Sequence, residues 1–349
     1  MREARTKYSG ESSYLSTAET MTRLRTLAMA VALVVVAVTV AASELEPGVA
    51  AVADLLGCSP LDRERLARGE IVSVGSVDGP WDEAAAVIVA ASPAAVSRAM
   101  HGAGVFQANR RVLAVREIPL GPTDASIFAS LPIDVASLAN LRGGEPGAEW
   151  NLSVTERALL RDVERDGEGD RGLAATIRHI WSERTAAYRS GGTRAIASFV
   201  QPGSSGVFDA GSEAAALWAR CARLDVLAPG IHAAVAAYPR PASVNLEHSY
   251  SASVVQLEGR PITVLSHRME SSAQAYSVAV EREFYVSRGY GVRQTVLGAA
   301  AISDGRAIAF YLTAVAGSVS PGPAAAAGGT PSAVIGVLAA LRDLGARAE

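Results

Sequence analysis

Lysine is almost missing from this chain of 349 residues: Lys7 is its only one, and the rest of its 32 basic side chains are arginine. With the abundant alanine, that bias marks a GC-rich genome more than a use for arginine chemistry. Only two cysteines occur, Cys58 and Cys221, which excludes a miniprotein built on disulfides. Neither sign of charge is in surplus, with 32 basic against 35 acidic residues, so no bulk charge draws the chain to nucleic acid. Charged residues make up 19% and hydrophobic ones 49%, which excludes a disordered polymer. Aromatics are scarce at 5%, so the places where they gather become informative.

Motifs are missing as well. There is no Gly-x-Ser-x-Gly; the Gly203-Ser204-Ser205-Gly206 loop has neither the strand before it nor the helix after it that a nucleophile elbow needs. No Gly-x-Gly-x-x-Gly opens a helix, and there is no P-loop, CxxC, HxH or HExxH. No cofactor, metal or catalytic residue is therefore expected, and an enzyme is the less favoured reading. No internal repeat is evident. Arg110-Arg111 and the Arg63, Arg65 and Arg68 group read as solvated charges interleaved with Asp62, Glu64 and Glu70.

What is present begins with an export signal. Residues 26–43 carry no charge, Arg23 and Arg25 precede them, and Glu44 and Glu46 follow. A positive flank, an apolar run and then small residues is the order that secretion machinery reads. Cleavage is expected after Ala42 or Ser43. The run falls short of the roughly 20 residues a membrane span needs, so a cleaved signal is favoured over a single-pass anchor through residues 26–43. Met21 gives a more typical start than Met1. The expected location is the periplasm or cell envelope, with membrane contact only through this segment if it is uncleaved. Outside the cytoplasm Cys58 and Cys221 either pair as a disulfide or stand as two buried thiols.

The remaining chain divides into three parts. Residues 44–132 hold short helices at 49–56 and 62–68, strands at 70–77, 84–91 and 112–118, and a helix opened by Ser92-Pro93. Serine caps a helix by accepting from an orphan N–H, and proline suits the first turn. Residues 133–243 read as helical: a capping box of Ser153 and Glu156 opens a helix to about Val163, the best helix spans 173–189, and others fall at 194–199, 212–224 and 231–237. Residues 244–349 switch to period two. Strands are expected at 245–257, 261–269, 273–286, 291–302 and 306–318, separated by turn residues, and short connections make them an antiparallel meander. In the third of these strands one side is apolar and the other polar, as in a sheet with one covered face. A Pro/Gly/Ala linker then leads to an amphipathic helix over 332–347.

Strands, a Ser-Pro-capped helix, a meander and a C-terminal helix form an order that resembles the START-like, or helix-grip, superfamily. The resemblance rests on Val87 to Met100 and on Val244 to Arg347, about half of the chain beyond the signal. It implies an α+β fold in which the sheet wraps the last helix around an apolar cavity, with residues 133–243 as a helical insertion. The stretches Ala67-Arg68-Gly69-Glu70-Ile71-Val72, Ala187 to Gly192 and Val244 to His248 also resemble a group of exported bacterial proteins of unassigned function.

Three readings of function follow. The leading one is a non-catalytic envelope protein binding an apolar or lipid-like molecule, with His248, Tyr250, His267, Tyr276, Glu281, Tyr285 and Phe310 as candidate ligand residues. Aromatics gather in the meander, where the concave face would hold such a ligand. A hydrolase is the rival: His248 and His267 on adjacent strands and Glu281 on the next would supply a base and an orienting carboxylate if they converge in a cleft. The third is an envelope assembly factor that uses the helical block as a partner surface.

Overall fold

Two proline-started helices precede the sheet. A computed structural model of the chain describes residues 45–75, 81–102, 112–133, 150–200, 206–257 and 259–317, with 335, 336, 338, 339, 342 and 343 near the C-terminus. The apolar run at 26–43, the loop at 203–205 and the linker after 317 lie outside the described residues. Helix α1 (Pro47–Leu56) ends at Gly57, whose φ of 74° is a left-handed conformation that costs glycine little. In α2 (Pro60–Ala67) the Ser59 hydroxyl accepts from the Asp62 N–H. Strands β1 (Val72–Val74) and β2 (Glu83–Val89) follow, and α3 (Pro93–Gly102) starts as expected, with Ser92 Oγ accepting from Ala95 N at 3.3 Å.

After β3 (Val112–Ile118) the chain turns helical. Helix α4 (Val154–Arg165) opens with the complete Ser153/Glu156 capping box. Helix α5 (Gly169–Gly191) buries Leu173, Ile177, Ile180, Trp181 and Tyr188 along one side. The helix expected at 194–199 does not form. Gly192, with φ of 60°, ends α5, a short 3-10 turn covers Gly192–Ala195, and Phe199 enters a two-stranded ribbon. That ribbon, β4 (Phe199–Val200) with β5 (Val207–Phe208), brings the rings of Phe199 and Phe208 to 5.1 Å, a contact a helix would forgo. Helices α6 (Ala210–Ala219), α7 (Leu224–Leu227) and α8 (Ile231–Ala237) complete this block.

The last five strands are β6 (Glu247–Leu257), β7 (Arg260–Ser272), β8 (Tyr276–Val286), β9 (Val292–Ala301) and β10 (Ala307–Ala316). They form the meander and carry a larger antiparallel sheet of order β1-β2-β10-β9-β8-β7-β6-β3. The fold is thus α+β with one eight-stranded antiparallel sheet, and the described residues from Glu46 onward form one compact unit.

Both faces of the central strands are buried, which corrects the expectation of one covered face. Helix α3 crosses β8, β9 and β10 on one side, where Val96 and the helical residue Leu338 pack on Ala85, Leu297, Ala299 and Ala309. On the other side α1 and α6 lie against the sheet, and α5 reaches it through Tyr188 and Arg184. These are called the α3 face and the helical face below. Packing on the helical face is close at Gly298, where an added Cβ would lie 2.2 Å from Phe310 Cζ.

A register shift between Leu265 and Ser266 leaves Phe284 as an extra residue in β8. The bulge turns two consecutive aromatics toward α5. Phe284 stacks on Tyr188 at 4.2 Å, and Arg184 sits over Tyr285 at 4.4 Å. Asn151 fastens the end of this hairpin from the helical block, its Nδ2 donating to the carbonyls of Val286 and Tyr290 at 2.8 and 2.7 Å. No helix among the described residues is long and apolar enough to cross a membrane.

Candidate functional site

On the helical face the ladder aligns Tyr250 with His267, His267 with Arg282, and Arg282 with Gln294, so four strands contribute to one polar row. Tyr188 from α5 descends onto it. Arg282 is 1% exposed, donates through Nε to Gln294 Oε1 at 3.1 Å and through Nη1 to the Tyr188 oxygen at 3.3 Å. Tyr188 meets His267 Nδ1 at 2.9 Å, and His267 Nε2 meets His248 Nδ1 at 2.9 Å.

Direction in this chain follows from its inner end. Guanidinium can only donate, so the Tyr188 oxygen accepts from Arg282 and its O–H donates to His267 Nδ1. The hydrogen of neutral His267 then sits on Nε2 and is donated to His248 Nδ1, which leaves the hydrogen of His248 on Nε2. Both imidazoles are held neutral. Burial, with the charge of Arg282 second, drives His267 well below its ordinary value, and burial lowers His248 too. Burial likewise pushes the Tyr188 hydroxyl up, so it stays a donor.

Tyr238, just after α8, bonds to the Tyr250 hydroxyl and stacks on Tyr188 at 5.5 Å. Arg189 lies over Tyr250 at 4.3 Å while donating to Gly121 O and Thr123 Oγ1, both at 2.8 Å. The outer end of the row opens at His248, which lines a surface cleft of about 390 Å³ together with Tyr238, Arg240, Ser243, Asn245 and Leu246.

The α3 face carries a different cluster. Glu83, Thr313, Thr295, Glu281 and Arg268 follow one another across β2, β10, β9, β8 and β7. The two threonine hydroxyls are 3.3 Å apart. In the neighbouring row Glu283 is bonded by Arg293 and by the Tyr290 hydroxyl, the latter at 2.5 Å. Burial raises Glu83 to about 7 against the pull of Arg293. Glu281 also reaches about 7, through burial and then the charge of Glu283, opposed by Arg293 and Arg268. Carboxyls shifted this far are candidates for a functional role.

Of the sequence-derived candidates, His248, Tyr250, His267, Tyr276, Phe310 and, through the bulge, Tyr285 all belong to the helical face. Tyr250, His267, Tyr285 and Phe310 are fully buried in packing contacts, so they form core there and leave no room for a ligand against them. His248 and His267 meet, but Glu281 does not join them. It pairs with Arg268 and Thr295 on the α3 face, whereas His267 pairs with Tyr250 and Arg282, so the sheet itself separates the carboxylate from the imidazoles. In the structure Cys58 and Cys221 are free, buried thiols. Burial raises them to about 11 and about 12, too high for thiolate chemistry at neutral pH.

Sequence reasoning missed Tyr188, Tyr238, Arg282 and Gln294 on one side and Glu83, Glu283, Arg293, Thr295 and Thr313 on the other. A signal existed: Glu281, Arg282 and Glu283 stand in the middle of a strand whose neighbours are apolar, and charges survive there only with partners. Among the described residues no group of three or more His, Cys, Asp or Glu side chains could hold a metal ion. Comparison of the chain with protein-family models, curated proteins and solved structures finds no match.

Proposed function

We propose that this is an exported envelope protein of helix-grip type, with residues 133–243 as a helical insertion, that binds an amphipathic small molecule on its α3 face. The observation that carries the reading is the row from Glu83 to Glu281. It puts two carboxyls raised to about 7 on the α3 face, with Ala85, Ala279, Ala299 and Ala309 of the same face in the rows beyond them. Val96 and Leu338 pack on those small side chains, so an amphiphile enters by displacing them from the sheet, and the threonines and carboxyls beside them supply donors and acceptors for a polar head. A lipid-like ligand with a hydroxyl, amine or amide head fits this division better than a wholly apolar one. Export rests on the apolar run and its flanks, and the absence of a nucleophile motif favours binding over turnover.

Native mass spectrometry of protein purified from cell envelopes tests the reading. A co-purifying amphiphile is expected, lost or weakened at least tenfold in the Glu281→Gln and Thr295→Val variants. Ligand-free protein that also binds nothing from a panel of envelope lipids overturns it. A hydrolase built on His248, His267 and Glu281 loses its support, because the three groups lie on opposite sides of the sheet.

A further inference from the structure

We propose that the cleft at the head of β6 is a binding site for a soluble small molecule with an apolar body and one oxyanion, a carboxylate or a phosphate. It lies on the helical face, independent of the site proposed beneath α3. Three observations converge on it.

The first is its wall. Ala234, Pro239, Pro241, Val244 and Leu246 give apolar surface, while the polar lining is Tyr238, Arg240, Ser243, Asn245 and His248; among the described residues no acidic side chain lines the space. Its volume of about 390 Å³ suits a small organic molecule. The second is charge. Arg240 bonds only to the Ala237 carbonyl, at 3.4 Å, and has no carboxylate partner among the described residues, so its guanidinium is free to take a bidentate anion.

The third is orientation. The chain running from Arg282 through Tyr188 and His267 assigns the His248 hydrogen to Nε2, the ring nitrogen with no protein partner. A free imidazole presents either a lone pair or an N–H at that position; here the buried guanidinium excludes the lone pair. The reverse arrangement would turn His267 Nδ1–H toward the Tyr188 oxygen, where Arg282 already donates, and leave the tyrosine hydrogen without an acceptor. Arg282 thus acts at a distance as a positioning residue, and the cleft receives an N–H donor beside an arginine. Neutral histidine in this tautomer, with Arg240 lining the same cleft, recognises an anion and repels a cation.

The test uses the purified full-length chain. Binding of benzoate, phenyl phosphate and benzyl alcohol is measured by calorimetry at pH 7.5, and nitrogen NMR of the histidine rings reports the tautomer of His248. Benzoate or phenyl phosphate is expected to bind and benzyl alcohol is not. Arg240→Ala should weaken binding at least tenfold and His248→Ala about fivefold to tenfold. His248→Gln, which can return an N–H donor, should recover most of the loss. Tyr188→Phe should leave the fold intact and turn a single Nε2–H signature into a mixture of tautomers.

Equal affinity for benzoate and benzyl alcohol overturns the proposal, as does binding that survives both Arg240→Ala and His248→Ala. An Nδ1–H signature for His248 in the unaltered protein removes its donor. Binding to phosphatidylglycerol vesicles that depends on Arg240 while both soluble probes fail would make the source a lipid surface and overturn the soluble ligand.

Discussion

On the helical face of the sheet, polar groups are buried around one guanidinium that no acid accompanies; on the α3 face, they are buried as several carboxyls that share two arginines. The first face gives two of that guanidinium's nitrogens neutral partners, Nε bonding to Gln294 and Nη1 to Tyr188. Gln294 accepts from Arg282, Tyr188 and His267 each accept one hydrogen and pass one on, His248 accepts the last, and the imidazoles give up their charge instead of competing with Arg282. The second face leaves a surplus of acid, and two of its carboxyls hold protons near neutral pH in place of counter-ions. A chain of neutral donors fixes direction, whereas a set of half-neutralised acids fixes a pH. The contrast explains why one face orients a surface histidine and the other carries carboxyls that titrate near neutral pH.

The largest effect is expected where a shared arginine is removed from the acid side. Arg293→Met leaves Glu283 enclosed with only the Tyr290 hydroxyl, and removing one partner of a buried pair costs about 3–5 kcal/mol. Urea unfolding at pH 7.5 measures it, and a loss below about 1 kcal/mol would place that carboxylate in water. Next comes packing on the opposite side. Gly298→Ala drives a methyl into Phe310 and should cost about 1–3 kcal/mol by the same measurement; an unchanged midpoint would mean that the ring has somewhere to move.

A smaller effect is the pH slope. Glu83 and Glu281 bind protons more tightly folded, at about 7, than the ordinary value of 4.5. A raised folded pKa gives stability that is full below 4.5 and is lost as the pH rises through about 7. The melting temperature should therefore fall between pH 5.5 and 8, and the Glu83→Gln, Glu281→Gln double variant should flatten that fall. Glu156 works in the other direction: burial pushes it up, but Arg184 outweighs this at 2.6 Å, so its contribution is lost as the pH drops below 4.5. The smallest effect sharpens the contrast most. Arg282→Met removes a charge that had no opposite charge to lose, and stability should change by less than about 1 kcal/mol in either direction. A loss as large as that of Arg293→Met would mean the two faces are not different in kind.

Much of the fold was legible. Strand boundaries in the meander follow turns whose glycines take positive φ, 78° at Gly259, 91° at Gly289 and 73° at Gly305, and the Ser153/Glu156 box named its helix correctly. The bulge at Phe284 was not legible, because period two reveals alternation within a strand but not its register against the next. The same gap explains Glu281. Two adjacent strands were enough to bring His248 to His267, but whether Glu281 shares their side depends on the pairing of His267 with Arg282, which no residue announces. Tyr188 and Tyr238 lie 79 and 12 residues from the partners they reach, one on α5 and one just past α8, helices whose docking no local pattern encodes.

The first strands must wait for the last. The Asp82 carboxylate closes its bond to the Val315 N–H across 233 residues, and β2 pairs with β10 along its whole length. Until β10 is available, β2 has only the three residues of β1 beside it and leaves an apolar edge open. Contacts this distant slow folding, and an unpaired edge invites association with other chains. Assembly of the sheet is therefore gated by β10, and Ala84 to Val89 is the segment that needs guarding from other chains until that strand arrives.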